Sequence, residues 1–429
     1  MQEGSATLYD RRWHQIYIEE LMPFDQMMRM MTCNRPDEYS PQCRFMRFES
    51  YKGSSTSELI SKIQFNRSNR RCLAQQFKWI MPMTVHIGPL LTLRVESGDS
   101  GITSLLTNKR RADEEEGLNP VLNESRHRDF IHFVRPCKEL VFDIDVHDFD
   151  RFCDCVNEKK KTLCPCCWLH IEGAYFILNF MLTRLFGYKQ ESLLYVFSGG
   201  KGIHCFINDH KAMSLSEEQR LFMYDMMHIG NGAQNNEDSA DQALSTWIHK
   251  FATPELNKSL EKLFVTQVVQ HRNLFTESTA FRQWVETKLR HYYPATHSNL
   301  TKTDAWQQGV ASKSSVIWDL LKMFEIYDYH TKTMVKPSLF IIYRLYYPII
   351  DKEPLKMSHT IKMPFSIHIK TKNIAVPIDR AFIESTNKSE QIVTLGHMCS
   401  SHFNKEAVAL PLLFANGVAL FEKWLGGYE

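Results

Sequence analysis

Apolar residues near the start of the chain recur at helical spacing: Trp13, Ile16, Ile18 and Leu21, then, past Pro23, Phe24, Met27, Met28 and Met31. The pattern predicts a helix over 11–31 interrupted at Pro23, with the methionines facing a core. Between positions 44 and 93 short apolar runs alternate with turn residues, and Trp79-Ile80-Met81-Pro82 and Val85-His86-Ile87-Gly88 read as strand edges. Residues 96–128 are rich in Ser, Gly, Asn and charge, which predicts a mobile surface loop; its basic triplet, Lys109 to Arg111, is too short for a nuclear-localisation signal.

Further along, Glu139-Leu-Val-Phe-Asp-Ile-Asp145 is a short apolar run with the composition of a strand. An apolar helix is expected from Trp168 to Leu185, closed by Phe186-Gly187. Leu193–Phe197 and Ile203–Ile207 read as strands joined by the glycine-rich turn Ser198–Gly202, a hairpin. From Ser214 to Leu339 the spacing is helical with polar connections. The apolar run Leu345–Ile350 then ends on Asp351, and Phe365–Ile369 and Ile374–Ile378 are strand-like. The whole is an α+β pattern: a sheet core from 1–213 and 340–429, with a helical insertion at 214–339.

The 429 residues suffice for a large core, and 43% hydrophobic with 23% charged residues describe an ordinary globular protein. Lys and Arg (51) barely exceed Asp and Glu (49), so net charge carries no nucleic-acid signal, although a local basic groove remains compatible with it. The polar start around Tyr9–His14 lacks a signal-peptide pattern, and the longest uncharged stretch, Ala407–Phe421, is short for a bilayer and contains Pro411 and Asn416. A cytosolic or nuclear protein without membrane contact is expected.

Asp143 and Asp145, two positions apart in a strand, share a face. Their repulsion calls for a positive charge between them, and a hard divalent cation such as Mg²⁺ or Mn²⁺ suits oxygen ligands. The alternative is a strand end whose acids face water, continued by Asp148 and Asp150. Of the 11 cysteines, Cys153, Cys155, Cys164, Cys166 and Cys167 crowd into one stretch. Cys164 and Cys167 form a C-x-x-C knuckle and, with Cys153 and Cys155, could close a structural Zn²⁺ site; Cys166 is a possible substitute ligand, and free thiols in a loop are the plainer reading. In Ser198-Gly-Gly-Lys-Gly-Ile-His204 the small residues admit phosphate oxygens to backbone N–H groups, with Ser198, Lys201 and His204 in reach of the same anion. A plain hairpin turn with a solvated lysine is the competing reading. Asp351 is followed by Lys356, His359, Lys362, His368 and Lys370, cations suited to a polyphosphate or to an ordinary solvated surface.

On these residues the chain resembles the small, catalytic subunit of archaeo-eukaryotic DNA primases. The similarity runs over nearly the whole chain: Tyr17–Phe24, the acidic run 139–145, Cys-Pro-x-Cys-Trp168, Phe197-Ser-Gly-Gly-Lys-Gly-Ile-His-Cys205, Pro364-Phe-Ser-Ile-His368 through Val376-Pro-Ile-Asp379, and more loosely Leu410–Trp424. The resemblance implies a mixed β-sheet primase catalytic core with a zinc motif and a helical insertion, and a polymerase that starts RNA primers unprimed. It further implies that Asp143, Asp145 and Asp351 hold Mg²⁺ or Mn²⁺, that Ser198, Lys201, His204, Lys362 and His368 hold the incoming triphosphate, and that the zinc is structural. Implied partners are a single-stranded DNA template, ribonucleoside triphosphates, the primase large subunit and the DNA polymerase α complex, in the nucleus. The chain departs from the family in having Gly200 and Lys201 where two arginines are usual. It has His86 where an Asp precedes Ile-Gly, and Arg44-Phe45-Met46 where an Arg-Glu-Phe motif is common. A repair or translesion primase–polymerase shares the acidic strand and the turn, and a non-catalytic zinc-bearing nucleic-acid-binding module is the alternative outside enzymes.

Overall fold

β-Branched and aromatic residues recur in every segment that pairs, and the strands are β1 (Arg44–Glu49), β2 (Tyr51–Lys52), β3 (Ser55–Glu58), β4 (Ser61–Ile63), β5 (Thr84–Arg94), β6 (His132–Cys137), β7 (Leu140–Asp145), β8 (Leu193–Phe197), β9 (Gly202–Ile207), β10 (Ile326–Asp328), β11 (Thr333–Val335), β12 (Ile361–Lys362) and β13 (Pro377–Ile378). The architecture is that of a computed structural model, which describes residues 12–34, 44–49, 51–52, 55–58, 61–63, 77, 81–94, 132–146, 149, 152, 163–229, 237–308, 313–328, 332–403 and 410–428. The loop expected at 96–128 lies outside them.

Two sheets build the core. One is five-stranded, ordered β12-β5-β1-β4 with β6 also on β5; the other is four-stranded, ordered β13-β8-β9-β7. Among the described residues every strand pairing is antiparallel, so the expected mixed sheet is corrected. Antiparallel partners need only a tight turn, as between β8 and β9, and no crossover helix is required.

The helices used below are α1 (Phe24–Met31), α2 (Pro165–Phe180), α3 (Glu217–Met227), α4 (Glu237–Phe251), α5 (Pro337–Tyr346) and α6 (Leu412–Leu425). The expected break at Pro23 is present, where Pro23 is the N-cap of α1. Before α2, Cys164 caps the helix, and Pro165 occupies the first turn, where a missing N–H costs nothing. After it, one π-helical turn (Met181–Leu185) leads to Gly187, whose φ of 75° suits glycine. The described residues between 237 and 346 are mostly helical, with the small hairpin β10–β11 among them, and the boundary expected after Leu339 falls inside α5.

Two further expectations change. Met81 to Met83 stand outside β5, where Met81 has a φ of 52°. The stretches 365–369 and 374–378 give only an Ile367–Ile374 bridge and the two residues of β13, because Phe365 (φ 65°) and Lys372 (φ 63°) take left-handed backbone that interrupts a ladder.

Two contacts set where α5 delivers the chain. Gly173 of α2 has no side chain, and a Cβ there would stand 1.9 Å from the ring of Tyr346, so the two helices cross in close contact. His170 Nδ1 bonds the carbonyl of Leu345 at 2.9 Å. Glu172, fully buried, meets Arg272 at 3.2 Å and Lys388 at 2.8 Å, pairing a charge that could not be left alone there. Residues 347–350 then run to Asp351 without regular structure. Among the described residues no helix is long and apolar enough to cross a membrane.

Candidate active site

β7, β8 and β9 are buried along nearly their whole length, which is why their sequences read as continuous apolar runs rather than alternations. The register resolves the two faces. Phe142 pairs with Cys205, which pairs in turn with Tyr195, and this face packs under α2 through Tyr175–Tyr195 and Trp168–Phe197 ring contacts at 4.4 and 5.6 Å. The opposite face carries Val141, Asp143, His204 and Phe206. Trp424 of α6 meets Phe206 at 6.5 Å, and its indole N–H bonds the carbonyl of Ser192 at 2.8 Å, so α6 covers the apolar end. The acidic end remains half-exposed.

At that end the backbone gathers the three aspartates. Asp143 pairs with His204 on one side and forms a bridge with Asp351 on the other, through an Asp351 N–H to Asp143 carbonyl bond of 2.9 Å. Directly opposed residues share a face, so Asp351, Asp143 and His204 form one row, with Asp145 a step along. Asp145 lies opposite Gly202, where a Cβ would meet the carbonyl of Ile144 at 2.1 Å. No residue with a side chain fits there without parting the strands. Asp351 Oδ1 also accepts the N–H of Glu353 at 3.0 Å.

The second sheet faces this row. His86 of β5 lies opposite Lys362 of β12, and Glu49 of β1, opposite Thr84, is on the same face. Glu49 Oε1 stands 3.3 Å from His86 Nε2. The Lys362 ammonium donates to the carbonyl of Ser198 at 2.9 Å, tying β12 to the hairpin turn. Burial lowers its pKa to about 8 against the pull of Asp143, Glu49 and Asp145, which favour the charged form. The cation and the acids therefore occupy one field.

His204 is held neutral: burial first, then the Lys362 ammonium and His86, push its pKa down to about 3. Its Nε2 lies 3.5 Å from Asp143 Oδ1, which is a contact between an uncharged ring and a carboxylate rather than an ion pair. His368 is lowered to about 3 by burial and then by Lys362 and Lys370. Its Nδ1 accepts the N–H of Thr371 at 3.2 Å, and the Thr371 hydroxyl donates to the carbonyl of Gly199. A Cβ on Gly200 would stand 3.0 Å from His368 Nε2, so the bare glycine leaves room for the imidazole.

The turn differs from the expected open cradle. Ser198 Oγ accepts the N–H groups of Gly200 and Gly202 at 3.2 and 3.3 Å, so two turn amides are already engaged. The hydroxyl proton of Ser198 can still be donated outward. Lys201 is half-exposed beside them.

Glu49 is the site residue that sequence reading missed. The residue after the buried Phe48 was its only signal, and strand pairing alone aims it here.

Among the described residues no three His, Cys, Asp or Glu side chains converge closely enough to hold a metal ion by themselves. The aspartates nonetheless fit Mg²⁺ or Mn²⁺ by donor chemistry. Mg²⁺ ordinarily takes one or two carboxylates together with phosphates and waters rather than an all-protein cage. Of the cysteines, Cys164 and Cys167 lie on the first turn of α2, with the N–H of Cys167 donating to Cys164 Sγ at 3.4 Å, and Cys166 is half-buried between them. Cys153 and Cys155 lie outside the described residues. Of the residues just before them, Phe149 and Phe152 pack on the His170 ring at 4.9 and 5.9 Å.

A sequence profile described as DNA primase small subunit matches residues 142–380, which span this face, the helical region and Lys362. The chain belongs to the DNA primase small-subunit family. It is 29% identical over 269 residues to the DNA primase small subunit of Saccharomyces cerevisiae, covering 60% of this chain and 62% of that protein. To the Caenorhabditis elegans DNA primase small subunit it is 28% identical over 284 residues, 63% of this chain and 65% of the relative. With the Schizosaccharomyces pombe protein the figures are 28% over 255 residues, 58% and 54%. The chain thus aligns with less than two thirds of these family members' length.

Proposed function

We propose that this chain is a primase catalytic subunit that joins ribonucleotides on a single-stranded DNA template and begins replication primers without a pre-existing 3′ end. The observation that carries the reading is the Asp143–Asp351 bridge, which sets three carboxylates on one edge facing the half-buried Lys362. In the reaction a 3′-hydroxyl oxygen bonds to the α-phosphorus of the incoming triphosphate as the bond to pyrophosphate breaks. A divalent cation on Asp143, Asp145 and Asp351 supplies activation of that hydroxyl and charge neutralisation on the leaving group when bound. Lys362, His368 and Lys201 hold the triphosphate, and Ser198 donates its hydroxyl. His204, kept neutral, offers an N–H without adding charge.

The zinc reading is supported by the capped C-x-x-C knuckle at the start of α2. It takes Cys153, Cys155, Cys164 and Cys167 as the ligands of one structural ion; metal analysis of protein purified without chelator should give about one zinc per chain. The same reading places the chain in the nucleus with the primase large subunit and DNA polymerase α, which co-purification from nuclear extract tests. The decisive assay supplies single-stranded template, ribonucleoside triphosphates and Mn²⁺ and looks for unprimed RNA. Folded protein that binds template yet makes none refutes the enzymatic reading in favour of a binding module.

A further inference from the structure

Lys138 stands two residues ahead of β7 and is 1% exposed. Its ammonium donates to the carbonyls of Pro354 and Lys356, both at 2.8 Å. A buried ammonium is costly unless its donors are satisfied, so those two bonds fix where the segment can lie. They grip the single 3₁₀ turn Glu353–Leu355 immediately after Asp351. The same segment is held from α3, where Glu217 Oε2 accepts the N–H of Met357 at 2.8 Å. Lys138 is itself held: the fully buried Arg220 donates to the carbonyls of Lys138 and Glu139 at 2.6 and 3.1 Å. A run of cation-to-carbonyl bonds therefore connects α3, the entry to β7 and the loop that presents Asp351.

We propose that Lys138 is a positioning residue that sets the Asp351 carboxylate against Asp143 and Asp145 for divalent-cation binding. The inference rests on reading those aspartates as the cation site. Second-sphere groups that orient ligands change metal affinity by about 10- to 100-fold when removed. The test is calorimetric titration of Mn²⁺ into the wild-type chain, Lys138→Met, Lys138→Gln, Asp351→Asn and the Lys138→Met/Asp351→Asn double variant, with thermal melts to establish folding. Lys138→Met should bind Mn²⁺ about tenfold or more weakly, with Lys138→Gln, which keeps N–H donors, in between. In the Asp351→Asn background Lys138→Met should add no further loss of Mn²⁺ affinity, and in the single Lys138→Met variant nucleotide KM at saturating Mn²⁺ should stay close to wild type. A folded Lys138→Met chain with wild-type Mn²⁺ affinity, or losses that multiply with those of Asp351→Asn, overturns the role. Should Lys138→Met not fold, the same titration of Lys138→Gln decides. A wild-type chain whose Mn²⁺ binding ignores Asp351→Asn refutes the cation-site reading itself, a different outcome from retained binding in Lys138→Met alone.

Discussion

The two sheets that meet at the site supply opposite charges by different means. The four-stranded sheet presents Asp143, Asp145 and His204 from strands paired along six consecutive positions, Leu140–Ile207 through Asp145–Gly202. The five-stranded sheet presents Lys362 from a strand of two residues. The acidic half is thus written into one hairpin and its neighbour, whereas the cationic half depends on a short segment finding β5. A side chain on a long ladder is fixed by many bonds, while one on a two-residue strand is fixed by few. Lys362 gains its remaining constraint from the carbonyl of Ser198, across the gap.

Breaking the acidic half should have the largest effect. Asp145→Asn is expected to slow nucleotide incorporation about a hundredfold or more with an unchanged melting temperature, because charge stabilisation is lost in the transition state. Single-turnover incorporation measures it, and a folded variant with near-normal rate removes Asp145 from the site. Next comes the cationic half. Lys362→Ala should raise nucleotide KM by about a hundredfold and Lys201→Ala by about tenfold, the upper and lower ends of roughly 1.5–3 kcal/mol for a charge-assisted contact, since Lys362 is pinned beside the aspartates by its bond to the Ser198 carbonyl. The reverse order would make the turn the main phosphate holder. An unchanged KM in Lys201→Ala would reduce that lysine to a solvated turn residue.

A milder perturbation acts on the ladder. Gly202→Ala puts a methyl against the Ile144 carbonyl and should destabilise the chain by about 1–3 kcal/mol in denaturant titration, as overpacking does. An unaffected midpoint would mean that the strands part freely there. The last perturbation is pH, whose effect is the smallest when taken per pH unit. His204 and His368 ionise near 3 in the fold but near 6.5 when unfolded, so between those values the unfolded chain binds more protons. Stability is then insensitive to these groups above 6.5 and is lost as pH falls toward 3, by at most about 1.4 kcal/mol per pH unit for each. His368→Asn should flatten the acid limb of the melting profile; equal slopes in wild type and variant would show that the imidazole is not held neutral.

What the chain reveals unaided divides along the same line. The acidic strand, the hairpin and the apolar run ending on Asp351 are local patterns, and their elements were legible because strand composition and a glycine turn act over a few residues. Strand direction is not local, so the sheets came out antiparallel where a mixed one was expected. Glu49 and Lys138 are silent in sequence because a strand-end glutamate and a lysine before an apolar run are commonplace, and only pairing and burial aim them. The strand-like stretches after Pro364 failed because left-handed residues such as Phe365 carry no marker of the kind glycine gives.

The clamp around Asp351 also bears on when the molecule becomes competent as it is made. Lys138 and Pro354 lie 216 positions apart, and Ser198 and Lys362 164 apart. Contacts of such separation form late, because the entropy of closing a long loop must be overcome before any bond rewards it. A ribosome exposes the acidic strand and its hairpin well before the segment that steadies and neutralises them. The local pairing of the acidic strand and its hairpin can therefore precede the docking of Asp351 and Lys362 that completes the proposed site. A chain interrupted before residue 351 would lack Asp351 and Lys362 and, on the proposed function, could not polymerise.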